Sequence, residues 1–262
     1  MKLIINADDY GLDENRTRAI QECFKRGLIT QTTLMVNMPW ADRAVEEAKK
    51  LGISGKIGLH LNYTEGRPLT DEMRNCPIFC SPDGCYTGKW HVSKFRRFVM
   101  PSAARQAIAI EARAQMEKFL AYGLPLLHLD SHHHSHTDYV VAKAALPIAR
   151  ELGFKTVRLS RNLGPSIGLV KTTYKKWFNG YVKRIGFKCT DFFCGFEPEE
   201  LLRVKNSTAV VEMMTHPFFY QGKRADMAGE LGDGCRPISA LSGFVASLPE
   251  NIQRGTQFYD II

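Results

Sequence analysis

The residues best able to do chemistry lie in one run, His128-Leu129-Asp130-Ser131-His132-His133-His134-Ser135-His136. Imidazole is a common ligand for zinc and related ions, and an aspartate among the histidines adds an oxygen donor. In an extended chain alternate side chains share a face, so His128, Asp130, His132 and His134 point one way and Leu129, Ser131 and His133 the other. At most two or three of these imidazoles then converge on one point. One aspartate with two histidines leaves positions open for water and substrate, as a catalytic metal needs. Neighbouring His and Asp side chains can orient the ligands, a role expected here of His128 and Asp130. A solvent-facing loop is the competing reading of the run, and it is the one adopted for His136 and for His91.

Other reactive side chains also follow apolar runs. Asp8-Asp9 come after Leu3-Ile4-Ile5, Asn37 ends 33–37, His60 lies near the end of 56–61 with Asn62 just after it, and Thr215-His216 follow 209–214. In barrels and open α/β sheets, catalytic groups gather at the carboxyl ends of strands. Two adjacent carboxylates near a cation can divide their labour: one ligates, the other takes a proton.

The elements that must position these residues alternate. Strand signals at 3–5, 33–37, 56–61, 126–129, 156–159 and 209–214 are separated by helical periodicity at 16–27, 41–51, 103–122, 139–152 and 198–204. Pro147 should kink the fourth of these helices. Such alternation over one chain predicts an α/β fold, a parallel sheet covered by helices, closed as a barrel or left open. No Gly-x-Gly-x-x-Gly follows the first strand, which argues against a dinucleotide-binding sheet. Residues 70–100 are rich in Pro, Cys and Gly turns and are read as an insertion or lid within a single domain spanning 1–262.

Composition narrows the class. The 262 residues are 44% hydrophobic and 24% charged, which excludes disordered and collagen-like chains. No apolar run is long enough to span a bilayer and the N-terminus meets acid too soon for a signal peptide, so no membrane partner and a cytoplasmic location are expected. The seven scattered cysteines, without Cys-x-x-Cys pairs, fit reducing surroundings better than disulfides or a structural zinc. The net charge is +8, but 152–190 alone carries nine Lys and Arg and no Asp or Glu, leaving the remainder at −1. Tyr174, Trp177, Phe178 and Tyr181 interleave with those bases. The stretch is read as a cationic helix with its aromatic side packed inward; a nucleic-acid surface is the less favoured alternative.

Asn6-Ala7-Asp8-Asp9-Tyr10-Gly11, Gly58 through Leu69 (GLHLNYTEGRPL) and His128 through His134 (HLDSHHH) together resemble the YdjC-like carbohydrate deacetylases, a family that includes chitooligosaccharide deacetylases. The likeness runs in order from residue 2 to about 220 and takes in 32–39 and 190–193. It implies a distorted (β/α) barrel of the polysaccharide-deacetylase type. It also implies metal-dependent removal of an N-acetyl group from an acetylated sugar or oligosaccharide. By position, Asp9, His60 and His132 would hold one divalent ion (Mg2+ or Zn2+), Asp8 would be the general base and His216 the general acid. Arg158 would sit beside the base. Two histidines and a carboxylate suit zinc or another transition metal better than magnesium. Tyr63 stands where an aliphatic residue is commoner, and His133 where Gln is commoner, which bears on substrate more than on chemistry. A metal-dependent phosphoesterase or other amidohydrolase is the rival enzyme class, and a homodimer is compatible with the sequence.

Overall fold

The structure, a computed structural model, describes residues 1–165, 168–196, 198–220, 223–227, 235–250 and 252–254. Of the single domain expected over 1–262, the remaining positions, 255–262 among them, lie outside the described residues. Along the chain run β1 (Lys2–Tyr10), α1 (Glu14–Lys25), β2 (Gln31–Leu34), α2 (Ala41–Lys50), β3 (Ile57–Leu61), α3 (Asp71–Arg74), α4 (Lys89–Val92) and α5 (Ser102–Ala121). Then come β4 (His128–Ser131), a 3-10 segment (His132–Thr137), α6 (Tyr139–Glu151), β5 (Thr156–Val157), α7 (Leu169–Arg184), β6 (Phe192–Cys194), α8 (Pro198–Leu202) and β7 (Val210–Thr215). β8 (Pro217–Tyr220), β9 (Lys223–Met227), β10 (Cys235–Pro237), α9 (Ile238–Ser247) and β11 (Gln253–Arg254) follow.

Among the described residues, the first seven strands make one curled parallel sheet in the order β5-β4-β3-β2-β1-β7-β6, with β11 beside the start of β1. The two end strands are joined by loop backbone rather than by a ladder. Val157 N donates to Lys188 O at 3.3 Å, and Asn162 N and Leu163 N both donate to Phe193 O at 3.2 Å. The expected α/β distorted barrel is therefore present, with a seam between β5 and β6. β8, β9 and β10 form a separate antiparallel sheet.

Alternation along the strands sorts side chains into two environments. Leu3, Ile5 and Ala7 of β1 belong to the main apolar core. Ile4 points the other way and meets Leu126 and Val210 near the amino ends of the strands. Asn6 and Asp8 continue on Ile4's side, so the barrel interior turns from apolar to polar as it climbs. α2 covers its part of the sheet with Ala41, Ala44, Val45 and Ala48, the spacing of one helical face. Gly58 makes room inside the barrel, because a Cβ there would lie 3.1 Å from both Cδ2 and the carbonyl oxygen of His128.

Element edges differ from expectation in small ways. The second strand ends at Leu34 and the fourth begins at His128. α6 runs through Pro147 to Glu151. β6 gave no periodic signal because it is only three residues long. Of the basic stretch only its later part is the helix expected, α7 (Leu169–Arg184), with Phe178, Tyr181 and Val182 buried and Trp177 stacked on Tyr181; its earlier part holds β5. Residues 70–100, expected to be an insertion or lid, are packed rather than loose: Phe79 and Trp90 are buried, and Trp90 Nε1 donates to Tyr63 O at 2.9 Å.

Candidate active site

The polar interior of the barrel is a continuous network. Gln31 Nε2 donates to Asn6 Oδ1, and Asn6 Nδ2 donates to Asp8 Oδ1 at 2.7 Å and to Thr33 Oγ1 at 3.2 Å. Thr33 Oγ1 donates to Asp130 Oδ2 at 3.1 Å. At the centre is Arg158, wholly buried. Its guanidinium donates to both oxygens of Asp8 at 2.6 and 2.7 Å and to Glu212 Oε1 at 2.7 Å, and lies 2.8 Å from Asp130 Oδ2. Phe193 closes its face, 4.8 Å away. A paired donor fork of this kind suits carboxylates and fixes their orientation.

The site proper sits above this network at the carboxyl ends of the strands. Strand alternation alone would send Asp8 and Asp9 to opposite faces. A register shift between Ala7 and Tyr10, with Asp9 at φ 70°, breaks the alternation so that both face the site. This left-handed conformation is costly for a residue other than glycine. Asp9 Oδ1 lies 2.7 Å from His132 Nδ1 and 3.3 Å from His60 Nε2. The other nitrogen of His60, Nδ1, bonds Asp130 at 2.6 Å and Thr33 Oγ1 at 3.1 Å, which fixes the ring and leaves Nε2 facing the site. His216 stands beside the base candidate, its Nε2 3.8 Å from Asp8 Oδ2.

The ionisation of these groups follows from their neighbours. Burial opposes charge on Asp8, yet Arg158 holds its carboxyl well below the usual carboxylate range. Burial likewise opposes charge on Asp9, and His132 pulls its carboxyl down. Burial opposes protonation of His60, but Asp130 raises its pKa to about 10. Burial opposes protonation of His132 as well, and Asp9 raises it to about 9. Glu212 goes the other way: burial pushes it up to about 7 against the pull of Arg158.

These residues suit a divalent cation. One ligand atom each from Asp9, His60 and His132 can be chosen so that all three lie within 4.8 Å of one another, in buried surroundings. Asp8, Asp130 and Glu212 are buried around the single guanidinium of Arg158, and Asp9 is buried beside His60 and His132, which leaves the cluster short of positive charge. Without an ion, His60 and His132 make up that deficit by holding protons. A dication bound to neutral imidazoles would supply the same charge. Asp8, His60 and Asp130 also cluster, but there Arg158 already provides the cation.

All six residues predicted from sequence, Asp8, Asp9, His60, His132, Arg158 and His216, thus fall in one neighbourhood. The rest of the histidine run departs from the extended reading. After His132 the chain turns, with His133 and His134 at φ 52° and 55°, so His134 does not share His132's face. Its ring edge instead meets Phe193 at 5.7 Å. The surface reading of His136 is overturned: it is buried, accepts from Ser131 Oγ at 2.6 Å and donates to Arg158 O at 3.1 Å. Burial, reinforced by Arg158, depresses it to about 3, so it stays neutral. His91 is no loop residue either; it lies in α4, stacked on His133 and 3.3 Å from Asp138.

Sequence reasoning missed Glu212, Asn6, Thr33 and Glu65. Glu212 had a visible signal, a lone acid inside the apolar strand Val-Val-Glu-Met-Met. Glu65 is positioned by Asn62, whose side chain accepts from Thr64 N and Glu65 N and donates to Glu65 O at 2.7 Å. That tight turn brings Glu65 Oε1 to 3.5 Å from His132 Nε2.

Comparison with known proteins places this geometry among relatives. The family described as YdjC-like protein matches residues 2–233. A protein of Vibrio cholerae named carbohydrate deacetylase is 39% identical over 225 residues, 84% of this chain and 79% of its own length. A carbohydrate deacetylase of Vibrio vulnificus is 37% identical over 220 residues, covering 83% of this chain and 78% of its own. The crystal structure of an Enterococcus faecalis protein, proposed to cleave cellobiose-phosphate, superposes with a TM-score of 0.65 at 26% identity, covering 84% of this chain and 82% of that one.

Proposed function

The chain belongs to the YdjC-like protein family, and from that premise we propose that it is a metal-dependent carbohydrate deacetylase that hydrolyses the N-acetyl group of an acetylated sugar or oligosaccharide. The observation that carries this reading is the convergence of Asp9, His60 and His132 next to an Asp8 held by Arg158, with His216 beside it. The relatives named carbohydrate deacetylase support the substrate class.

An amide carbonyl is a poor electrophile and water a poor nucleophile. Asp9, His60 and His132 would hold a divalent ion, which would supply Lewis acidity for the carbonyl and lower the pKa of a water toward about 7. The protein's own residues handle the protons. Asp8 accepts one from the attacking water, whose oxygen bonds the acetyl carbon. Arg158 keeps Asp8 ionised and oriented, at some cost to its basicity. His216 gives a proton to the sugar nitrogen as the C–N bond breaks. Acetate and a free amine result.

Acetate release from a panel of N-acetylated mono- and oligosaccharides tests the reading. Purified protein should release acetate, lose activity to a chelator and regain it with Zn2+, Mg2+ or another divalent ion. Release of phosphate from model esters with no acetate from any N-acetyl sugar would overturn it in favour of a phosphoesterase.

A further inference from the structure

Two acid-free segments meet on one face. Residues 84–110 carry Lys89, Lys94, Arg96, Arg97 and Arg105 without an Asp or Glu, and 152–190 carry nine bases, again without one. They touch through Phe98, whose ring is 5.1 Å from Tyr174 of α7 and 6.5 Å from Tyr139 at the start of α6. Val140 N also donates to Arg97 O at 3.1 Å. Val170 precedes Tyr174 by one helical turn, which puts it on the side that meets Phe98.

The same face is unusually apolar. Phe98 and Tyr139 are exposed and meet there, and the exposed Val92, Phe95, Val99, Leu169 and Val170 flank them along the same two segments. Leu169 and Val170 are 82% and 84% exposed, Val92 is 81% and Phe95 is 65%. Phe98 and Val99 lie beside them. A contiguous exposed apolar patch marks an interaction site. It borders the active site, since His91, next to Val92, stacks on His133 at 5.6 Å.

Charge and side-chain type identify the occupant. A second copy docked by two-fold symmetry would bring these bases against each other. A nucleic acid would match the charge and could stack on Phe95, Phe98 or Tyr139, but the three most exposed of these side chains, Val92, Leu169 and Val170, have no ring. Aliphatic tips that enter the acyl boundary, ringed by Lys and Arg that meet anionic headgroups, fit a lipid surface. We propose that this face docks on an anionic membrane and holds the mouth of the active site at the bilayer surface. No helix among the described residues is long and apolar enough to cross a membrane; the proposed attachment is peripheral and reversible. The expectation of no membrane partner rested on the lack of a spanning segment, which surface docking does not need.

Co-sedimentation of the full chain with vesicles tests this independently of the enzymatic reading. The protein should pellet with vesicles of phosphatidylcholine mixed with phosphatidylglycerol, not with phosphatidylcholine alone, and added salt should release it. A Leu169→Ser, Val170→Ser double variant and a Phe95→Ser variant should each bind about tenfold more weakly. Their melting temperatures and turnover of a soluble substrate should be unchanged. No binding to the anionic vesicles, or binding indifferent to both variants, overturns the proposal. So does RNA that binds through the same side chains while the vesicles do not, or a stable dimer that the double variant dissociates.

Discussion

Arg158 bonds Asp8 and Glu212 and lies against Asp130, so one buried cation organises three carboxylates. Removing it would leave them facing each other without a partner, which costs several kcal/mol in comparable buried sites. An Arg158→Met variant should therefore melt far lower or fail to fold. A variant with the wild-type melting temperature would contradict the network. Asp130 acts on His60 from behind, and such partners are typically worth 10–100-fold in metal affinity. Asp130→Asn should weaken zinc binding by roughly that factor, read by competition with a chromophoric chelator; unchanged affinity would contradict it. His132→Ala should abolish tight metal binding, because His134 and His136 face elsewhere. The pH dependence has a definite sign. His60 and His132 have folded pKa values of about 10 and about 9, above the ordinary 6.5. Their contribution to the metal-free protein is fully present below 6.5 and is lost as pH rises through 9 and 10. Thermal melts with chelator should fall across that window. Melts with bound metal should not, since the ligands are then already neutral; identical profiles would contradict the assignment.

At the scale of elements, two local breaks in regular structure build the site, and they mark the limit of what sequence periodicity reveals. The apolar run before Asp8-Asp9 made β1 legible, and strand-end chemistry made His60, His132 and His216 legible. The bulge that turns Asp9 toward the same site as Asp8 has no periodic signature; only Gly11 after it hints at a sharp exit. The left-handed turn at His133 and His134 was equally invisible, so an extended reading wrongly grouped His134 with His132. Glu212 escaped because its role depends on β7 lying next to β1, a pairing between distant parts of the chain. Gly58 shows how tightly the elements close around these side chains. Gly58→Ala would press a Cβ to 3.2 Å from His128 Cβ on the neighbouring strand. Overpacking of this kind costs about 1–3 kcal/mol, so a clear drop in melting temperature is expected. Gly11→Ala should cost more, because φ is 82° there and its Cβ would lie 3.2 Å from the Cα of Ala41. Equal effects from the two would contradict this ranking.

Seen whole, the molecule gathers its charges by purpose. The buried acids surround Arg158 and the candidate metal ligands, while the surplus bases lie on segments 84–110 and 152–190. Among the latter, Arg158 serves the interior. The net charge of +8 is therefore a property of two segments of the chain rather than of the whole sequence, and under the docking proposal it bears on where the protein works rather than on its chemistry. We propose one domain for the full chain, in keeping with the main core, which among the described residues runs from β1 to α9. The central claim is tested most directly by measuring bound metal and acetate release together on wild-type protein and Asp8→Asn. The expected result is one divalent ion per chain in both, with acetate release from an N-acetylated sugar only in the wild type and a loss of about 100-fold or more in the variant. An Asp8→Asn protein that keeps its metal and deacetylates at the wild-type rate would contradict it.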